Sequence, residues 1–275
     1  MDSATQPAVP VTHLSLCTGY EGIGLGLRQV FPNLFEVAFV ERDAYAAANL
    51  VAKIEAGELA PAPVHTDVQT FPYARFHGLV DILSAGFPCQ PFSVPGKLQS
   101  TKDPRHLFPH ILRGIRECRP AVVFLENVEG IFSTHTSEGE PVLRYVLRSL
   151  EQVGYRATAG IFSADEVGAP HQRRRVFIMA YTNEPGLEGR DGGELSERPN
   201  QLSFRPRSPQ GWPSRQFEPQ REWERPRKAE PGLGGAATRS AKSRVERLRM
   251  LGNGVVADTA AKAFCTLAER LGWDS

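Results

Sequence analysis

Val80-Asp81-Ile82-Leu83-Ser84-Ala85-Gly86-Phe87 is a nearly unbroken apolar run that ends in Pro88-Cys89-Gln90. A short run of this kind, closed by glycine and proline, reads as a buried strand of a parallel sheet. It carries one thiol, Cys89, to the strand's C-terminal end, where open α/β sheets bind their ligands. A second run, Ala121-Val122-Val123-Phe124-Leu125, ends in the same way at Glu126-Asn127-Val128. A thiol and a carboxylate on the tips of two core strands can face one crevice. That pair suits a nucleophile and an acid working on the same ring. A lone cysteine after a strand is as often a buried, inert thiol; the acid at the matching strand end tips the reading towards chemistry.

Working outward, Val11 to Leu16 reads as a first strand, followed by a turn at Thr18-Gly19-Tyr20-Glu21-Gly22 and a helix from about Ile23 to Val30. Phe35 to Val40 is a second strand, closed by Glu41-Arg42-Asp43 and backed by an Ala-rich helix from Ala44 to Ile54. Val64-His65 is a short strand ending at Asp67. Beyond the long loop Pro88 to Arg105 come a helix from Leu107 to Cys118, a helix from Pro141 to Val153, and strands over 155–162 and 175–181. The repeated strand-helix alternation predicts an α/β fold, a parallel sheet with helices on both faces.

The texture changes at Asn183. Eight prolines fall between there and Gly232, with no sustained period, and Trp212, Phe217 and Trp223 stand among arginines. This predicts an irregular insertion, with order returning near Ser243 and an amphipathic helix over Asp258 to Leu271. The formal net charge of +1 conceals an asymmetry: Arg198 to Lys228 holds eight basic and three acidic residues, and Arg239 to Arg249 five basic and one acidic. A polyanionic partner would account for it, through phosphate neutralisation and counterion release; a solvated loop is the bland alternative.

At 275 residues and 41% hydrophobic content the chain has the bulk of one large α/β domain with a small appendage. No apolar stretch approaches the roughly 20 residues of a membrane helix. Met1 to Pro10 lacks a basic start and an apolar core, so no secretory signal is expected. Cys17, Cys89, Cys118 and Cys265 are scattered without CxxC or histidine-interleaved spacing, which argues against a metal site or disulfide scaffold and favours a reducing cytoplasm.

Gly19-Tyr20-Glu21-Gly22-Ile23-Gly24 lets the backbone approach a nucleotide-like ligand at a helix N-terminus. Its order is not G-x-G-x-x-G. Glu41, ending the second strand, can bond a ribose diol, and Asp67, ending the third, an adenine amino group. An adenosine without phosphates fits this set better than a dinucleotide, which disfavours a nicotinamide oxidoreductase. In His171-Gln172-Arg173-Arg174-Arg175, strand alternation puts Arg173 and Arg175 on one face and Arg174 on the other, so that two guanidiniums could hold a phosphate or a base edge.

Together these residues resemble the DNA (cytosine-5)-methyltransferase family, which uses S-adenosylmethionine. The likeness runs from Leu14 to about Tyr181 and from about Arg244 to Phe264. It rests on Gly86-Phe87-Pro88-Cys89-Gln90-Pro91-Phe92-Ser93, Glu126-Asn127-Val128, Gln172-Arg173-Arg174-Arg175 and Gly252-Asn253-Gly254-Val255-Val256. The resemblance implies a Rossmann-like methyltransferase sheet over 1–182, a small irregular target-recognition insertion over 183–240, and a return to the catalytic domain over 241–275. It implies that Cys89 adds to carbon 6 of a flipped-out cytosine and that Glu126 contacts ring N3. It further implies that Asn127 positions the loop, and that Arg173 and Arg175, with Gln90 and Ser93, hold the substrate. For the cofactor it implies Cys17, Tyr20, Gly22, Ile23, Glu41, Arg42, Asp67, Val68, Pro88, Leu107, Asn253 and Val255. Double-stranded DNA is the implied partner, for a monomeric enzyme of the restriction-modification type that needs no metal. Departures from the family pattern are Ser15 in place of an Asp, Cys17 and Arg42 in place of aromatics, and Glu21 in place of a Gly. A tRNA substrate on the same fold and a catalytically silent DNA-binding relative are the alternatives.

Overall fold

The computed structural model describes residues 9–88, 107–182 and 254–272. Cys89, Gln90, Ser93, Asn253 and the whole insertion, with the expected return to order near Ser243, therefore lie outside the described residues. The strands are β1 (Val11–Leu16), β2 (Leu34–Val40), β3 (Val64–His65), β4 (Ile82–Gly86), β5 (Val122–Asn127), β6 (Arg156–Phe162) and β7 (Arg175–Tyr181). The helices are α1 (Gly22–Val30), α2 (Ala44–Glu55), α3 (Phe108–Cys118), α4 (Val142–Gln152) and α5 (Ala257–Arg270). Each element falls within a residue or two of its expected place.

One seven-stranded sheet runs in the order β3-β2-β1-β4-β5-β7-β6. The first five strands of that order are parallel, and the chain direction of build-up reverses between β1 and β4. That switch point opens a crevice at the strands' C-terminal ends. The expectation of a wholly parallel sheet is corrected at β7, which pairs antiparallel with both β5 and β6. Only a short 3-10 segment and a glycine turn separate β6 from β7, with no α-helix to carry a parallel crossover. The reversal has a functional effect: in register, Asn127 at the end of β5 faces Val176 at the start of β7. A parallel β7 would have begun at the opposite edge and carried its arginines away from the crevice.

Helices cover both faces. On one, Ile111 and Ile115 of α3 and Val146 and Leu150 of α4 bury Leu14, Leu83, Val123 and Ile178. On the other, Ile23 and Leu27 of α1 and Phe264 and Leu267 of α5 cover Ile82, Phe124 and Phe177. Phe124 stacks on Phe177 at 5.3 Å and meets Phe264 edge-on at 5.2 Å. The α1–α5 contact is close because Gly26 has no side chain: a Cβ there would collide with the Ala257 carbonyl and the Ala260 methyl. Asp43 caps α2, its carboxylate accepting from the amides of Tyr45 and Ala46 at 3.0 and 3.1 Å. Among the described residues no helix is long and apolar enough to cross a membrane.

Candidate active site

Glu126 and Asn127 are the last residues of β5, and both are buried. The Asn127 amide donates to the Phe87 carbonyl at 3.0 Å while its oxygen accepts from the Val128 amide at 2.9 Å. Asn127 thus ties the tip of β5 to the segment that leads into Pro88. Glu126 lies on the other face of the strand, towards α1. Gly86 is its register partner on β4, and the space a side chain would fill there is shared by the Glu126 carboxyl, Ile23 and the Cys17 carbonyl.

Antiparallel β7 then supplies the cations. Arg175 Nε stands 2.8 Å from Glu126 Oε1. Arg173, two residues earlier, donates to the Gly254 carbonyl. Arg174 pairs with Glu129 at 3.2 Å and lines the same cavity as Arg173 and Arg175. Burial pushes the Glu126 carboxyl up to about 7, against the opposing pull of Arg175 and Arg173. A carboxyl poised near neutrality can hold a proton towards a ring nitrogen and release it. Tyr20 and Val256 on one side, and Glu129 with residues 171–175 on the other, wall a cavity of about 680 Å³ beside this pair. That is room enough for a nucleotide.

The neighbouring half of the crevice is built from the ends of β1, β2 and β3. Glu41 accepts from the Gly19 amide at 2.7 Å through one oxygen and from the Asp43 amide at 2.7 Å through the other. It therefore shapes the Gly19 turn, and each oxygen keeps a second lone pair for a ligand hydroxyl. Asp67 is half-buried, its Oδ1 accepting from the Gln69 amide at 2.8 Å, with buried Val68 beside it. Arg42 and Pro88 are exposed, and Leu107 is half-buried at the N-cap of α3. Gly22 and Ile23 open α1, whose N-cap side chain bonds none of its first amides, leaving that end able to receive a polar ligand group.

Two contacts absent from the sequence reading lock this half together. The Tyr20 hydroxyl donates to the Val255 carbonyl, and its ring occupies the space a side chain on Gly254 would need. Gly22 likewise lies against the Val255 carbonyl. Residues 254–255, just before α5, thereby lie over the first turn, and Gly254 and Gly22 were the sequence signal for that close approach. Lys53 of α2 donates to the Tyr20 carbonyl at 2.8 Å and had no signal at all.

Burial, reinforced by Glu41 and Asp67, pushes the Cys17 thiol up to about 12. Burial does the same for Cys118, also to about 12. Neither would furnish a thiolate at neutral pH.

The model of the C-5 cytosine-specific DNA methylase family matches residues 11–231. The chain belongs to that family. Among curated relatives, the Type II methyltransferase M.PspPI of Psychrobacter sp. (strain TA137) is 31% identical over 180 residues, 65% of this chain and 41% of the relative. M.HhaI of Haemophilus parahaemolyticus is 37% identical over 109 residues, 39% of this chain and 32% of the relative. M.NlaX of Neisseria lactamica is 32% identical over 171 residues, 62% of this chain and 52% of the relative. The matches thus span about half or less of these relatives' own length. Two solved structures share the fold at a TM-score of 0.50 and 22% identity. One is a DNMT2 mutant from Spodoptera frugiperda, aligned over 66% of this chain and 53% of its own, and the other the S. pombe Dnmt2 methyltransferase, over 70% and 59%.

Proposed function

We propose that the protein methylates carbon 5 of cytosine in double-stranded DNA, with Cys89 as nucleophile and S-adenosylmethionine as methyl donor. The observation that carries this reading is the buried Glu126–Arg175 pair, at the strand tip that Asn127 ties to the chain entering Cys89. A cytosine ring is a poor carbon nucleophile until something adds to its carbon 6. The Cys89 thiolate adds there, and Glu126 gives its proton to ring N3, so the ring becomes an enamine whose carbon 5 can attack. Arg175 holds the Glu126 carboxylate left behind. Once carbon 5 has taken the methyl group, N3 returns its proton to Glu126, the carbon 5 proton passes to water, and the electrons of that bond expel Cys89 so that aromaticity returns. The base reaches Cys89 only by leaving the helix, and the cavity beside Tyr20 and Arg173 would receive it.

The residues of the Gly19 turn fit the donor. Glu41 has lone pairs to spare for a ribose diol, Asp67 and Val68 stand where an adenine edge would lie, and the open N-terminus of α1 suits a carboxylate. Bound there, S-adenosylmethionine supplies an electrophilic methyl group. Tyr20, Val255 and Asn253 would close over it, with Cys17, Ile23, Arg42, Pro88 and Leu107 around the rim. Residues 1–182 and 241–275 would form the catalytic domain, and 183–240 would meet the DNA target.

The test is Cys89→Ser assayed for methyl transfer to duplex DNA and for cofactor binding by calorimetry. Transfer is expected to vanish while binding persists, and wild type should form a covalent adduct with DNA carrying 5-fluorocytosine that the variant lacks. Methyl transfer by the variant above a few per cent of wild type would remove Cys89 from its role. Transfer to tRNA in preference to duplex would change the substrate but not the chemistry.

A further inference from the structure

Beneath the Gly19 turn, between β1 and α1, lies a buried polar network that the reaction above does not use. Glu21, at the N-cap of α1, has φ of +70°, a left-handed conformation that a side chain disfavours. The side chain turns under the helix and is 1% exposed, filling the space that a Cβ on Gly24 would occupy. Ser15 Oγ donates to Glu21 Oε2 at 2.7 Å. Glu21 Oε1 faces His13 Nδ1 at 3.6 Å, and both atoms are buried without a hydrogen-bond partner. His13 is wholly buried, with Nε2 2.8 Å from Ser84 Oγ.

A second acid, Glu36, brings ligand-type atoms of three residues within 4.8 Å of one another. A cation is a poor occupant, because the Arg28 guanidinium already spans both Glu36 oxygens and would repel it. A proton is a good one. Placed on Glu21 Oε1, it faces His13 Nδ1 across 3.6 Å, and a closure of a few tenths of an ångström would satisfy both orphaned atoms at once. Burial acts in the same sense on both partners, lowering His13 to about 4 and raising Glu21 to about 8. Without the proton, a carboxylate would be stranded in the core near Glu36. The cations towards it are engaged: Arg28 by Glu36, and Lys53 of α2 by the Tyr20 carbonyl. On α5, Asp258 is bonded by Gln29 and offers no relief.

We propose that Glu21 is a positioning residue for the cofactor turn, sharing one proton with His13, and that this proton holds residues 17–22 in the shape that receives S-adenosylmethionine. The proposal rests on the cofactor reading above. Glu21 sits between Tyr20, which bonds the Val255 carbonyl, and Gly22, which packs on it. Displacement of its side chain would therefore move both walls of the site.

The test is S-adenosylmethionine binding to the full chain by calorimetry, for wild type, Glu21→Gln and Glu21→Gly, across about pH 6 to 10. The amide of Glu21→Gln can accept from Ser15 and donate to His13 with no proton to lose, so it should match wild type near neutrality. Above about pH 8 the wild-type affinity should fall relative to Glu21→Gln, approaching tenfold per pH unit. Taking the ratio cancels the titration of the ligand's own amino group. Glu21→Gly relieves the left-handed backbone yet should bind about tenfold more weakly throughout, as expected when a buried anchoring bond is lost. A wild-type to Glu21→Gln ratio that stays flat with pH, or a Glu21→Gly variant that binds like wild type, would overturn the proposal while leaving the cofactor reading intact. Should Glu21→Gly not fold, the wild-type and Glu21→Gln profiles decide alone. Wild type that binds no S-adenosylmethionine at any pH would sink both readings.

Discussion

Glu126 owes its chemistry to a balance between burial and two arginines. Its folded pKa, about 7, lies above the ordinary value of 4.5, so the fold favours the protonated acid. Stability from this group is full below the unfolded carboxylate range and is lost as the pH rises through about 7. Arg175→Met removes a charge that favours ionisation. The Glu126 titration followed by carbon-13 carboxyl NMR should then move still higher, and an unchanged midpoint would show that the ion pair is not felt. Glu41 shapes a turn with one lone pair of each oxygen and keeps the other for a ligand. Glu41→Ala should weaken S-adenosylmethionine binding by roughly one to two orders of magnitude, the scale of a lost charged acceptor. Calorimetry showing unchanged affinity would move the ribose contact elsewhere. Residue identities such as Glu126-Asn127 were legible in the sequence because strand ends announce themselves by a change from apolar to polar. The role of Glu21 was not: a carboxylate in a glycine turn reads as a departure until its burial against Ser15 and His13 is seen.

At the scale of elements, side-chain period distinguishes helix from strand but says nothing of strand direction. That is why β7 was placed correctly along the chain and wrongly in orientation. Direction was decided by the α-helix-free return from β6. The α1–α5 contact was equally hidden, since it joins segments more than two hundred positions apart. Its dependence on Gly26 gives a sharp expectation. Gly26→Val should cost about 1–3 kcal/mol of unfolding free energy, the usual range for overpacking. Urea melts would measure it. Cofactor affinity should fall as well, because α5 carries the strip that meets Tyr20; a neutral substitution on both counts would mean the two helices can part without consequence.

For the whole molecule, the basic and aromatic stretch beyond Asn183 is where charge asymmetry points to nucleic acid, and it lies outside the described residues. Replacing 183–240 with a Gly-Ser linker should leave S-adenosylmethionine binding intact, cut duplex affinity, and flatten its dependence on salt. Methylation of the same sites with the same salt sensitivity would deny the segment any part in recognition.

The antiparallel course of β7 also constrains such a linker. The chain leaves the sheet at Thr182, whose amide bonds the Ala121 carbonyl at the foot of β5, and it re-enters at Gly254, held by Arg173 at the crown. The excursion starts and finishes on opposite rims. A seven-residue strand at about 3.3 Å per residue sets a climb of roughly 20 Å that any replacement has to make. Shortening the whole span 183–253 step by step should therefore do nothing until fewer than about seven residues are left for that climb, and then strip Gly254 and Val255 from Tyr20 in one abrupt loss of cofactor binding.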